Sequence, residues 1–379
     1  MISPWLLERV ACPVCLERTG CADCGAKAPG HEACRQDYRR RAACPCGGPD
    51  KVRLAPEGEG LRCPCCGDLY PVERERGYVD LVPREDVGSV TQYADHEFHE
   101  RLGATDASPV LSARVKADMM RRMLDPQPGE TVLDLGCGAG KLALFAAADG
   151  VKAAGIDVAP FFLPRAAREV DLVLGDLRRL PFRKAAFPCA FSLDVLEHLD
   201  ETGVKDVLVE ARRALPSSGR LFVYTHAMES SRLARFQRAV NRLARRLGEA
   251  GLIDHEREAL RKSDHKNAIR SHEHFESLCA EAGLRVAERR YYNVVVKAVI
   301  EDLALRLYEG ARRPRAAAGH GATAASQGAT LTLPSRPRPG RAALGLALAL
   351  TWLMKLDVTL FGGVRTGPFF GLLRPGRGA

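Results

Sequence analysis

Residues 131–150 read TVLDLGCGAGKLALFAAADG, and the fold follows from how that stretch divides. Thr131–Leu135 is a short apolar run of strand type. Gly136, Gly138 and Gly140 follow, and from Lys141 the composition turns to the Leu and Ala of a helix. Glycines at such a junction let the backbone turn sharply and let a ligand approach without meeting a Cβ. The spacing is D-x-G-x-G-x-G counted from Asp134. The third glycine of the dinucleotide fingerprint G-x-G-x-x-G is missing, because Lys141 occupies its place.

Working outward, apolar runs at 151–156, 171–174, 188–192 and 221–225 alternate with helix-like stretches. That alternation predicts βαβ units on a parallel sheet. The second run ends at GIDV, which leaves Asp157 where a carboxylate can accept hydrogen bonds from both ribose hydroxyls. The third ends at LVLGDLRRLPF and brings Asp176 to the same sheet edge. Three acids at successive strand ends outline a nucleoside-shaped site. The fourth run leads into SLDVLEHLD, with Asp194, Glu197 and His198 at i, i+3 and i+4. On a helix those side chains would share one face, where each can bind a metal or move a proton.

Taken as a set, LDLGCGxG, GxD, GDxxxLPF and VLEHL make residues 109–226 resemble the class I S-adenosylmethionine-dependent methyltransferases. The resemblance implies an α/β fold: a Rossmann-like, seven-stranded, mostly parallel doubly wound sheet. It closes with an antiparallel hairpin that strands at about 284–292 and 368–373 would supply. It also implies that Asp134, Gly136, Cys137, Gly138 and Gly140 hold the methionine moiety, Asp157 and Val158 the ribose, Asp176 and Leu177 the adenine, with Ser192 in the same site. A sulfonium methyl is already activated, so such a protein has mainly to align an acceptor and remove its proton where necessary. SLDVLEHLD is also similar to the EVLEH of ubiquinone-pathway O-methyltransferases, in which two acids and the histidine bind a divalent ion such as Mg²⁺. Here Asp194 stands for the first Glu. The competing expectations are His198 as a metal-free general base, with His226 its rival, or Glu197 and His198 as packing alone.

Of the 13 cysteines, ten precede residue 67, many as C-x-x-C or C-x-C pairs. In a reducing compartment that points to metal rather than disulfides. The N-terminus, MISPWLLERVACPVC, lacks the pattern of a secretory signal, so a cytoplasmic protein is expected, with peripheral membrane contact in view. LLERVACPVC and LRCPCCGDLYPVERERGYVDLVP resemble a small zinc-ribbon domain also known as a separate methyltransferase activator. By that resemblance Cys12, Cys15, Cys63 and Cys66 would hold structural Zn²⁺. The insertion between the knuckles carries Cys21, Cys24, His31, Cys34, Cys44 and Cys46, and with Cys65 it could build a second zinc site. Cys137, Cys189 and Cys279 read as ordinary buried residues.

The chain divides into the zinc-ribbon-like head (1–83), a linker and helix (84–108), the core (109–228), an amphipathic Arg-rich helical insertion (229–268), the end of the core (269–309), a loop poor in bulky apolar residues (310–340), and an apolar helix with a final strand (341–379). In the insertion, Leu233, Phe236, Val240, Leu243 and Leu247 take one face and Arg235, Arg238, Arg242, Arg245 and Arg246 the other. The run from Ala342 to Met354 falls short of the roughly 20 residues that span a bilayer and predicts a buried or interfacial helix, not a transmembrane span. With a net charge of +9, an anionic partner fits. The order of elements after the fifth strand resembles methyltransferases of lipids, quinone precursors and polyketide-like or glycosylated metabolites, implying O- or C-methylation of a small-molecule or lipid acceptor. RNA base N-methylation, suggested by the ribosomal RNA guanine N1-methyltransferases that carry a similar head, and a non-catalytic partner-binding role are the alternatives. The oligomeric state leaves no mark in the sequence.

Overall fold

The computed structural model describes residues 2–18, 54–64, 67–83, 108–253, 264–308 and 340–376. A single sheet joins β1 (Ala55–Glu57), β2 (Gly60–Arg62), β3 (Leu69–Glu73), β4 (Tyr78–Asp80), β5 (Thr131–Leu135), β6 (Lys152–Asp157), β7 (Asp171–Leu174), β8 (Cys189–Leu193), β9 (Arg220–His226), β10 (Leu284–Tyr291) and β11 (Pro368–Pro375). Their spatial order is β1-β2-β3-β4-β7-β6-β5-β8-β9-β11-β10. From β4 across to β9 every pairing is parallel, whereas β11 runs antiparallel to both β9 and β10. The predicted strands therefore form, including the closing antiparallel pair.

One expectation is corrected. The sheet has eleven strands rather than seven, because the head is no separate body. Its last strand, β4, adds in parallel to β7, with Tyr78, Val79 and Asp80 opposite Leu172, Val173 and Leu174. Without it β7 would be an open edge, and the apolar Tyr78 and Val79 of GYVDLVP are both buried in covering that edge. The helical turns α1 (Pro4–Leu7) and α2 (Pro13–Arg18) place Leu6 and Val14 in one core cluster with Leu133 and Leu135 of β5. Ser3 binds Asp171, Val10 bridges to Phe182, and the Ala11 amide donates to the Pro181 carbonyl at 3.0 Å.

Strands buried on both faces read as continuous apolar runs, and β5 and β8 are buried at every residue. Successive side chains serve opposite faces. Leu133 and Leu135 join Leu6, Val10 and Leu61 of the head, together with Val204, Val207 and Leu208 of α6 (Glu201–Ala214, after α3, α4 and α5 below). Val132 points the other way, among Met119, Met120 and Met123 of α3 (Leu111–Leu124) and Ala143 of α4 (Lys141–Ala146). The short α5 (Ala166–Glu169) closes that second layer.

The insertion forms α7 (Ala234–Glu249), but its apolar face is only partly used. Val240 and Ala244 are buried, while Phe236 and Leu243 stand out in solvent beside the arginines. After α8 (His272–Glu281) and β10, α9 (Val295–Lys297) continues into a π-helical run, Ala298–Leu305. The stretch 310–339, expected to be a loop, lies outside the described residues, as does 84–107. Beyond it, α10 (Arg341–Met354) and α11 (Leu356–Phe361), joined through Lys355, make a 21-residue span whose most apolar 18-residue window has mean hydropathy 1.6, so the apolar helix is longer than the sequence run suggested, and by length and composition apolar enough to cross a membrane. Its far end is tied to the core: Lys355 pairs with Asp118 at 2.7 Å, and the buried Asp357 accepts the Val296 and Lys297 amides.

Candidate active site

The strand order reverses between β5 and β8, and in open α/β sheets ligands settle at the carboxyl ends of strands on either side of such a reversal. The glycine loop leaves β5 there. Its Gly136 and Cys137 amides donate to the Ile156 carbonyl at 2.9 and 3.1 Å, holding the loop over β6. Gly138, at φ +50°, has nothing within 4 Å of where a Cβ would stand, so the loop presents bare backbone to open space. Gly140, at φ +81°, is the N-cap of α4. Cys137 points beneath the loop onto Gly155, and burial pushes its thiol well up.

Asp134 and Asp157 lie together under this loop. Asp157 is fixed by two backbone donors: Gly138 N to Oδ2 at 2.7 Å and Ala159 N to Oδ1 at 3.1 Å. Burial raises its carboxyl above the usual range, and the backbone amides of Gly138, Ala159 and Val158 counter part of that rise. Asp134 is pushed well above its ordinary value, first by burial and then by the Asp157 charge. Its Oδ2 is buried without a hydrogen-bond partner, and so is the Ser192 Oγ on β8. Orphaned buried acceptors are rare in native proteins. An unpartnered carboxylate oxygen on the acid pair and an unpartnered hydroxyl nearby fit a polar ligand of net positive charge, which is the character of S-adenosylmethionine with its ammonium and sulfonium. Asp176 caps the turn Leu177–Arg179 and pairs with Arg178 at 2.7 Å, so its carboxylate is already engaged.

SLDVLEHLD forms no α-helix, which corrects the shared-face reading. Asp194 takes φ +56°, and only Leu196–His198 closes as a 3₁₀ turn. Asp194 is turned away to Lys116 of α3, at 2.6 and 2.7 Å, and the Lys116 ammonium stands 4.3 Å from the Tyr224 ring centre. The expected triplet is therefore split. Glu197 and His198 acquire other company: His226 at the end of β9, and Asp264 and His265 from the far end of the insertion.

Glu197 is buried and accepts the Thr225 hydroxyl at 3.2 Å. His226 Nδ1 is 3.5 Å from its other oxygen and makes no hydrogen bond. His198 Nδ1 meets Asp264 Oδ1 at 2.7 Å, and the His198 ring packs edge-on against His265 at 4.6 Å. Burial, then the neighbouring His198, lowers the His265 pKa, favouring its neutral form. Asp264 and His265 were missed in the sequence. Their one signal was a D-H pair in RKSDHKN, set in a segment otherwise marked by arginine and apolar residues.

In the head, Cys12 and Cys63 are both buried, with the Cys12 sulfur 3.1 Å from the Tyr70 hydroxyl. Cys63 opens a tight turn: its amide donates to the Asp68 carbonyl and its carbonyl accepts from the Gly67 amide. Cys15 lies in α2, whereas Cys66 and the other candidate ligands Cys21, Cys24, His31, Cys34, Cys44, Cys46 and Cys65 lie outside the described residues. Cys137, Cys189 and Cys279 are buried as expected, and burial pushes Cys189 up to about 12. A cavity of about 860 Å³ lies away from all this chemistry, between the head and the starting ends of β6 and β7, where Arg74, Lys152 and Arg168 line it.

Compared with known proteins, residues 132–219 match the family described as methyltransferase domain. The chain is 36% identical over 132 residues to an uncharacterized 37.1 kDa protein in transposon TN4556 of Streptomyces fradiae. That match covers 32% of this chain and 36% of the relative, so it spans little more than a third of the relative's length. Among solved structures the chain is similar to Haemonchus contortus phosphoethanolamine N-methyltransferase 2 in complex with S-adenosyl-L-methionine, at TM-score 0.44 and 15% identity over 76% of this chain and 58% of that one. It is also similar to geranyl diphosphate C-methyltransferase from Streptomyces coelicolor A3(2), at TM-score 0.40 and 15% identity over 69% and 79%. A third similar structure is the [4+2]-cyclase SpnF, at TM-score 0.42 and 15% identity over 76% and 94%.

Proposed function

Because residues 132–219 carry a methyltransferase domain, we propose that this chain moves a methyl group from S-adenosylmethionine to a hydroxyl of a small-molecule or lipid-like acceptor. The observation that carries the reading is the Asp134 and Asp157 pair beneath the glycine loop, with Asp134 Oδ2 buried and unpartnered. Two acids whose charges burial disfavours gain most from a ligand that brings its own positive charge. When bound, S-adenosylmethionine supplies an activated methyl on a sulfonium and needs no covalent intermediate with the protein.

The chain's own residues have the remaining work. Asp134, beside the open backbone at Gly138, would take the ammonium of the amino-acid end, and Asp157, fixed by its two backbone donors, would accept from the ribose hydroxyls. A hydroxyl acceptor has to lose its proton as the methyl arrives. His226 stands at the carboxyl end of β9 beside the buried Glu197 carboxylate, which can orient the ring and steady the imidazolium once a proton is taken. An apolar acceptor is supported by the two helices that follow: Leu346, Trp352 and Leu360 of α10 and α11 are all exposed.

The test is transfer of label from methyl-labelled S-adenosylmethionine in extract separated into organic-soluble, small aqueous and RNA fractions. Label in the organic or small aqueous fraction is the expected result. Label confined to RNA would replace the acceptor class, and a chain that binds the donor yet labels nothing would remove the transfer itself.

A further inference from the structure

Glu197, His198 and His265 each offer one donor atom, and the three donor atoms lie within 4.8 Å of one another. They come from two segments far apart in sequence, and the backbone locks those segments together: the Lys266 and Asn267 amides both donate to the Glu197 carbonyl, at 2.9 and 3.2 Å. The placement of His265 is thus set by main-chain bonds made one and two residues beyond it.

We propose that these three residues are the ligands of a divalent first-row transition ion, a site that does not depend on the methyl-transfer reading. Three features support it. The donor set is two imidazoles and one carboxylate, which suits Zn²⁺, Fe²⁺, Co²⁺ or Mn²⁺. Mg²⁺ takes oxygen ligands, so losing Asp194 to Lys116 and gaining His265 moves the site away from the ion that the sequence suggested. Next, His198 already holds a carboxylate at Nδ1, Asp264 at 2.7 Å. That is the outer partner that fixes the tautomer of a metal-bound imidazole and raises its basicity. Finally, Glu197 is buried and held in place by the Thr225 hydroxyl, so one ligand is preset before any ion arrives.

The donors must still close a little. An ion about 2.1 Å from each ligand needs donors roughly 3.0–3.4 Å apart. Rotation of the His198 and His265 rings, which sit edge to face at the protein surface side of the cluster, supplies the movement without displacing Glu197. The turn bearing Glu197 and His198 begins at Val195, which rests on the glycine loop at Gly136, so an ion here would stand next to the donor site.

The cysteine-rich head complicates any count of bound metal, and the experiment separates the two by ligand type. Metal-free full-length protein is titrated with Co²⁺ and followed by visible and near-ultraviolet absorption. A thiolate site gives sulfur-to-cobalt charge transfer, whereas a nitrogen and oxygen site gives only weak visible bands. Wild type should take up one equivalent that adds visible bands without charge transfer, and His265→Ala should lose that equivalent alone. His265→Asn, which keeps a polar side chain, guards against misfolding, and far-ultraviolet circular dichroism of each metal-free variant reports the fold. Wild type with no such equivalent, or folded His265 variants that bind as much Co²⁺ as wild type with the same bands, would overturn the site.

Discussion

Val195 stands directly against Gly136: a Cβ on that glycine would meet the Val195 Cγ2 at 2.5 Å. The two residues belong to the two strand-end segments on either side of the topological switch, so the contact sets how closely the VLEH turn approaches the loop. Gly136 also sits at φ +79°, where a side chain is strained whatever the space. Gly136→Ala is therefore expected to abolish measurable S-adenosylmethionine binding by calorimetry. Adding Val195→Ala removes the clash but not the strain and should restore only part of the affinity. Full restoration would show that φ is not the constraint.

Asp157 anchors the loop through Gly138 and Ala159 and is the proposed ribose ligand. Asp157→Ala should weaken cofactor binding by about 1.5–3 kcal/mol, the range for hydrogen bonds to a charged group. Unchanged affinity would move the ribose elsewhere.

The same acids predict a pH dependence. Asp134 and Asp157 both have raised carboxyl pKa values in the chain without ligand. A cationic donor favours their ionised forms, so binding should release protons and affinity should fall as pH drops into the raised range. For folding the sign is opposite. A carboxyl raised above its unfolded value loses stability as pH rises through that window, a loss that the bound donor should offset. Calorimetry in buffers of different ionisation enthalpy reads the proton release, and proton uptake on binding would refute the assignment.

The parts of this fold legible in the sequence are those set by local pattern. β5 and β7 lie where the apolar runs placed them and β6 within one residue of it, and Asp134, Asp157 and Asp176 sit at or just past the ends of β5, β6 and β7. Contacts made across long separations were not legible. That Asp194 would turn to Lys116, 78 residues away, depends on a left-handed backbone at an aspartate, which no periodicity records. His265 reaches His198 only because main-chain bonds fold the end of the insertion back onto Glu197. The head looks like a separate domain in sequence because cysteine, glycine and proline dominate its composition. The single apolar strand Tyr78–Asp80, which fuses it to the sheet, is too short to announce its partner.

Fusion of head and core has a measurable consequence at Arg213. Its guanidinium is buried, pairs with the equally buried Glu210 at 2.7 Å, and donates to the Leu180 and Phe182 carbonyls, beside the point where Val10 bridges to the core. Arg213→Leu leaves Glu210 as an uncompensated buried charge and should cost about 3–5 kcal/mol of stability. The double change with Glu210→Leu should recover a good part of that. Urea unfolding measures both, and an additive double mutant would mean that the pair is not coupled.

Cys12 and Cys63 are buried in the cluster that also holds Leu133 and Ile156 of the central sheet. If they hold Zn²⁺, as the head's resemblance implies, stripping the metal should destabilise the whole chain, because the head shares the core. The expected outcome is a lower melting temperature with one cooperative transition by calorimetry. An independent low-temperature transition of the head would contradict the shared core, and purified protein without zinc would end the metal assignment.

The last prediction concerns the proton. His226 Nδ1 is buried, lies 3.5 Å from Glu197, and has no hydrogen bond of its own. A ring so placed contributes nothing evident to folding through that nitrogen, and this makes it a testable base. His226→Ala should lower kcat by about 10²–10⁴-fold, the usual contribution of a positioned general base. Its S-adenosylmethionine affinity should change little, since His226 lies past the acids that take the donor. Glu197→Gln should lower kcat through loss of the carboxylate that orients the ring, with little change in S-adenosylmethionine affinity. Supplying imidazole in solution to His226→Ala should recover part of the rate. A His226→Ala enzyme that turns over at the wild-type rate would return the base to His198, whose Nδ1 is held by Asp264 at 2.7 Å.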